Sequence, residues 1–173
     1  MRLAIRATAL LVSIVLSWST GSAQSTPKPV FSLTISTTQR VARTGSVVKL
    51  QIIIKNLSNH EIGVDHTPGD EQAEFHNSVT VRDDKGNRVA EKGYMRAIER
   101  GGGYDEDSGR TILPGGSIVT SFLKPGESIK DGTVLNRLFN LTNPGKYTIE
   151  CQRFDEESHR WVKSNTVTIT VKP

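Results

Sequence analysis

Apolar and polar residues alternate along most of this chain with a period of two, as in strands that bury one face and solvate the other. Phe31, Leu33 and Ile35 alternate with Ser32 and Thr34 and give a first strand. The next is the strongest in the chain. Val48, Leu50, Ile52 and Ile54 share one face, and Lys49, Gln51 and Lys55 lie on the other. Shorter runs follow at Ile62–Val64, Ser78–Arg82, Ile118–Leu123 and Glu127–Val134. Near the end, Val167, Ile169 and Val171 share a face of a last extended stretch that starts at Trp161.

Turn residues punctuate these runs. Asp83-Asp84-Lys85-Gly86 is a tight turn with Gly where positive φ is wanted, and Arg88-Val89-Ala90 returns to make a hairpin. Pro125-Gly126 and Asp155–Ser158 turn two more. Leu135–Phe139 is long enough for a single helical turn. Pro144-Gly145 then ends one element, and Tyr147 opens the strand that carries Cys151. A Tyr at such a corner packs its ring inside an immunoglobulin-like (Ig-like) sandwich and bonds its hydroxyl to upstream backbone. Pro144, Gly145 and Tyr147 are therefore the expected structural corner. No sustained helical period and no βαβ alternation occur. The pattern predicts an all-β fold: one Ig-like antiparallel sandwich of seven to nine strands over residues 30–173.

The N-terminus reads differently. Arg2 and Arg6 precede an apolar run from Ala7 to Leu16, and Ser19–Ala23 is small and polar. This is the three-part layout of a cleavable export signal over residues 1–23, followed by a flexible leader over 24–29. Cleavage after Ala23 leaves 150 of the 173 residues, enough for one domain with its own core, and no second apolar span follows. The product is expected to be periplasmic or extracellular. Losing Arg2 and Arg6 lowers the net charge from +4 to +2. The remaining Lys and Arg are scattered, without the basic stripe that nucleic acid requires. Cys151 is the single cysteine, so no internal disulfide forms. Its parity with Tyr147 and Ile149 turns it toward the core.

Candidate chemistry is sparse. His60, Asp65, His66, Asp70, Glu71, Glu74 and His76 form the densest set of metal-capable side chains, with His60, His66 and His76 as the nitrogen donors. Their spacing matches no ligand signature, and a solvated polar loop through Pro68-Gly69 explains them better. Residues 91–116 are read as the least structured part. Gly101–Gly109 is read as a flexible acidic loop, in which Tyr104, Asp105, Glu106 and Asp107 are the candidate binding residues. Calcium is a weaker reading of Asp105-Glu106-Asp107, because the alternating ligand spacing is missing. No nucleophile elbow or phosphate loop is present, so no catalytic residue and no cofactor is assigned. Asn56-Leu57-Ser58 and Asn140-Leu141-Thr142 match the glycosylation sequon. Trp161, the one Trp left after signal removal, is expected to pack in the core or at an edge.

The order of the motifs carries a resemblance. Asn56-Leu57-Ser58 follows a long strand. Val79, Val81, Asp83, Gly86 and Val89 mark a hairpin. Leu123-Lys124-Pro125-Gly126-Glu127 precedes a strand, and Pro144-Gly145-Lys146-Tyr147 opens a late one. Over roughly residues 30–173 this resembles the intracellular proteinase inhibitor (BsuPI-type) domain and related Ig-like modules of exported bacterial proteins. The resemblance implies an Ig-like sandwich, and it makes proteinase inhibition through an end loop one possible activity. The expectation is thus an exported, non-catalytic binding module whose partner is another protein or a cell-envelope component. The loops over 66–76 and 91–116 are its expected working surface.

Overall fold

The period-two pattern closes into two facing sheets. In the computed structural model, residues 27–67, 73–112 and 118–173 are described. The expected signal segment, residues 24–26 of the leader, residues 68–72 of the expected loop over 66–76 (Pro68, Gly69, Asp70 and Glu71 among them), and residues 113–116 of the expected loop over 91–116 lie outside them. In chain order the strands are β1 (Phe31–Thr37), β2 (Val41–Arg43), β3 (Lys49–Asn56), β4 (Ile62–His66), β5 (Ser78–Arg82), β6 (Gly103–Asp105), β7 (Arg110–Ile112), β8 (Val119–Leu123), β9 (Ser128–Val134), β10 (Gly145–Asp155), β11 (Arg160–Lys163) and β12 (Val167–Lys172). Two short helices, α1 (Gly93–Glu99) and α2 (Leu135–Leu138), interrupt them.

One sheet has the order β1-β3-β9, antiparallel throughout. In the other, β10 is central: β5 pairs with one edge, and β11 and β12 follow one another along its opposite edge. β2 joins β12 in parallel. These are the A-B-E and C-F-G groupings of an Ig-like sandwich. A separate ribbon pairs β4 with β8, and a hairpin pairs β6 with β7.

Register puts the apolar faces together. Leu33 lies opposite Ile54, Ile35 opposite Ile52, Cys151 opposite Val79 and Tyr147 opposite Ile169. Leu50, Ile52, Ile54, Ile149 and Ile169 are essentially excluded from water. Burying each is worth about 1.5–3 kcal/mol relative to leaving it exposed. The sheets are also stitched by side chains that imitate strand pairing. Asn165 Oδ1 accepts from the Ile35 amide at 2.8 Å and its Nδ2 donates to the Ile35 carbonyl at 3.0 Å. The Val30 amide donates to Asp155 at 2.9 Å.

The corner takes its shape from one bond. Tyr147 is buried, and its hydroxyl donates to the Asn143 carbonyl at 2.6 Å, across Pro144-Gly145. Asn56 has a similar role at the end of β3. It is 1% exposed; its Nδ2 donates to the His60 and Leu123 carbonyls, and its Oδ1 accepts from the Ser58 amide and hydroxyl. Asn140 Oδ1 likewise takes the Thr142 amide and hydroxyl. Both sequons are thus side-chain turns of the Asx kind, and the amide of Asn56 is inaccessible for glycosylation.

Among the described residues the two facing sheets hold eight strands, within the expected seven to nine, and the β4–β8 and β6–β7 pairs are additional. Three expectations need correction. Residues 88–90 make only a single bridge, Arg82 to Arg88. Residues 91–112 are no flexible loop: they form α1 and the β6–β7 hairpin docked on it. Asp107 Oδ2 accepts from the Gly93 amide at 2.5 Å, where a carboxylate offsets the positive end of the helix. A Cβ at position 93 would collide with the Asp105 carboxylate and the Glu106 amide, so Gly is required there. Finally, Trp161 is 56% exposed and belongs to neither core nor covered edge. Among the described residues no helix is long and apolar enough to cross a membrane.

Candidate functional site

A gap in the second sheet creates the main concavity. β5 pairs with Thr148–Gln152 only, so Arg153–Asp155 of β10 extend beyond it with β11 on their other side. The β4–β8 ribbon stands across the gap, linked to β10 by Arg153 Nη2, which donates to the Asp65 carbonyl at 2.6 Å. The result is an open cavity of about 740 Å³ between β4, the 3-10 turn Ala73–Phe75, α1 and the β10–β11 hairpin.

Its floor is polar. Arg153 lies on the core-facing side of β10 and is only 9% exposed, with Nη1 making no hydrogen bond. Burial pulls its pKa below the ordinary value. Asn77, also buried, donates Nδ2 to the Ala73 carbonyl at 2.8 Å and leaves Oδ1 unpartnered. Asp131 lies near enough to Arg153 to favour its charge, yet its own carboxyl is pushed up, first by burial. Desolvation, followed by the Arg153 charge, lowers the pKa of His76.

Beneath the floor, Glu74 anchors the 3-10 turn. Its fully enclosed carboxylate accepts from Arg137 Nη2 at 2.6 Å, Thr133 Oγ1 at 2.6 Å and Tyr94 Oη at 3.1 Å. The Arg137 guanidinium also lies 4.9 Å over the Tyr94 ring. Burial, then Glu74, pushes the Tyr94 hydroxyl up to about 12, so it remains a donor at any physiological pH. This network joins the turn to β9, α2 and α1 and fixes the cavity wall.

The rim is aromatic and acidic. Phe154 and Trp161 face each other across the β10–β11 pair on the outer side, edge to face with centroids 5.5 Å apart. Glu61, Asp65, Glu156 and Glu157 surround the mouth. His60 Nε2 meets Glu157 at 3.0 Å, and Thr120 donates to Asp65 at 2.6 Å.

The three histidines separate in space. His60 and His76 line the cavity, but His60 is bound to Glu157 and Asn59, and His76 to Thr67. His66 bonds Ser121 at 2.9 Å. Among the described residues no group of three or more His, Cys, Asp or Glu converges as a metal centre requires. The Tyr104–Asp107 segment lies against α1, apart from the cavity lining. Asp105 is buried, and its carboxylate organises the hairpin turn through Ser108 Oγ at 2.5 Å and the Asp107 amide at 3.0 Å. Tyr104 is exposed. Cys151 is fully buried, and desolvation raises its thiol to about 12, which leaves it unreactive.

Sequence reasoning missed Arg153, Asn77 and Phe154. One signal was available: Arg153 continues the parity of Tyr147, Ile149 and Cys151, so a cation occupies a core-facing position. A buried charge calls for a stated partner or a function.

No protein-family model matches the chain, and no curated protein matches it in sequence. Among solved structures the chain is similar to the CARDB domain of a Pyrococcus furiosus protein, determined with di-metal ions. The identity is 15% and the TM-score 0.41, covering 83% of this chain and 89% of that one. It is also similar to a β-glucosidase from Listeria innocua (13% identity, TM-score 0.41) and one from Erythrobacter marinus (11% identity, TM-score 0.41). Each of these is covered over 83% of this chain and 16% of the glucosidase. At this level the likenesses carry no argument about function. The Ig-like assignment rests on the strand order and the Tyr147 corner.

Proposed function

We propose that this chain is an exported, non-catalytic Ig-like binding module whose recognition site is the cavity between β4 and the β10–β11 hairpin. Its partner is a protein or another component of the cell envelope. The observation that carries the reading is Arg153. Enclosing a guanidinium costs several kcal/mol, and an apolar residue of similar size would serve a purely structural position as well or better. Among the described residues the guanidinium is enclosed behind an open cavity, with one nitrogen that has no acceptor and is itself shut off from water. A ligand supplies that acceptor by displacing the side chains that cover it. The rigid sheet holds the donor in place beforehand, which limits the ordering cost of binding. The signal-like N-terminus supports export, and N-terminal sequencing of protein from the envelope fraction should begin at Gln24.

A photo-crosslinking residue placed at position 157, on the exposed rim of the cavity, tests the site in cells. Adducts from position 157, absent from position 104, are expected. Adducts from position 104 alone would move the site to the β6–β7 hairpin. That outcome favours the second reading, proteinase inhibition of BsuPI type, because the exposed Tyr104 at the start of a hairpin is the substrate-like element available there. Assays against serine and metalloproteinases decide this reading; no inhibition at micromolar protein rejects it.

A further inference from the structure

Two strand edges face the cavity. Among the described residues β10 has no strand partner at Arg153–Asp155 on the side that β5 covers further along, and β4 pairs with β8 alone, its Asp65 carbonyl taken by Arg153. Exposed strand edges present backbone donors and acceptors to an added strand. Between them lie two polar atoms without a hydrogen-bond partner among the described residues, Arg153 Nη1 and Asn77 Oδ1, both shut off from water beneath the lining. With that lining in place, an added strand pairs with an exposed strand edge and not with these atoms.

The charge at the mouth narrows the choice. Glu61 and Glu156 are exposed and make no hydrogen bond or ion pair among the described residues. On the α1 side the exposed Glu99 also lines the cavity, whereas Glu91 beside it lies outside the lining and is faced by Arg88 and Arg96. Crowded carboxylates beside an exposed indole face favour a cation, through charge pairing and cation–π attraction.

We propose that the cavity binds an extended polypeptide strand from a partner, its backbone pairing with the free edge of β10 at Arg153–Asp155 and a lysine or arginine side chain lying over Trp161 toward Glu61 and Glu156. This rests on the reading of the cavity as the recognition site. Specificity comes from the basic side chain and affinity from the backbone, as in other cases of strand addition.

The test uses the full chain and fluorescein-labelled peptides of strand length, about six residues, alternating Lys with Thr or Glu with Thr. The Lys peptide should raise anisotropy and weaken with salt, and the Glu peptide should not bind. The variants W161A and E61Q/E156Q, all at exposed positions, should weaken the Lys peptide roughly tenfold or more. K146A, on an exposed residue outside the cavity lining, should leave it unchanged. Equal affinity for both peptides, or equal affinity for lysine methyl ester alone, would overturn the strand proposal. The position-157 crosslink, which keeps Trp161, separates the recognition site from the basic-strand inference. Adducts that the Lys peptide displaces support it. Adducts that the peptide leaves untouched, or that join a second copy of this chain, overturn the basic-strand inference while the recognition site stands. Absence of both adducts and peptide binding overturns both.

Discussion

Replacing Glu74 tests whether the cavity wall is held as described. Its carboxylate is fully enclosed and takes three donors, from Arg137, Thr133 and Tyr94. In Glu74→Ala the Thr133 hydroxyl, itself 1% exposed, loses its acceptor. A buried donor left unpaired costs about 1–3 kcal/mol. The charge-assisted bond from Arg137 is lost as well. Arg137 is 30% exposed, so its head turns partly to water, and the loss stays at the lower end for a broken enclosed ion pair. That end is about 3 kcal/mol. For a domain of this size, 3 kcal/mol lowers the melting temperature by roughly 6–12 °C. Glu74→Gln keeps the volume and one acceptor oxygen, so it should lose about half as much. Urea unfolding followed by circular dichroism measures both. A loss below about 0.5 kcal/mol for Glu74→Ala, within the range of ordinary surface substitutions, would refute the network as an anchor. A fall in the slope with denaturant would mean instead that the unfolded state had changed.

Three further perturbations follow from the same structure. Tyr147→Phe removes the donor to Asn143 and should cost about 1 kcal/mol or more; an unchanged urea midpoint would count against the corner. Cys151, with its thiol raised to about 12, should resist Ellman's reagent in the folded protein and react at once in urea. His76 is held below its ordinary pKa of 6.5 by burial and by Arg153, so the unfolded chain takes up a proton before the folded one does. Stability from this group is therefore complete above pH 6.5 and declines as pH falls below it. His76→Gln should flatten that part of the pH–stability curve, and a curve unchanged between pH 7.5 and 5.5 would contradict the assignment.

The long strands were legible because one buried face imposes strict alternation. β3, β10 and β12 fall where the sequence places them, and Tyr147 follows its turn as the fold requires. What stayed hidden has physical causes. α1 is two turns long and begins with Gly93, whose use is set by the Asp105 carboxylate many residues away. The β6–β7 hairpin begins in a run of three glycines and carries acidic residues, so it reads as solvent-exposed, yet Asp105 and Asp107 are consumed by its turn and by the α1 amide. Trp161 alternates correctly but points outward, because β11 uses Val162 for the core. The cavity itself depends on β5 stopping short of Arg153, a matter of pairing length that no local pattern records. Arg153 was the exception: its parity alone marked it.

Recognition between β4 and the β10–β11 hairpin can be read from amide chemical shifts. Uniformly 15N-labelled protein is titrated with the Lys-Thr peptide. The Trp161 indole and the backbone amides of Glu61–Asp65 and Arg153–Asp155 should move together, while Tyr104–Asp107 stay in place. Shifts confined to Tyr104–Asp107 would contradict it.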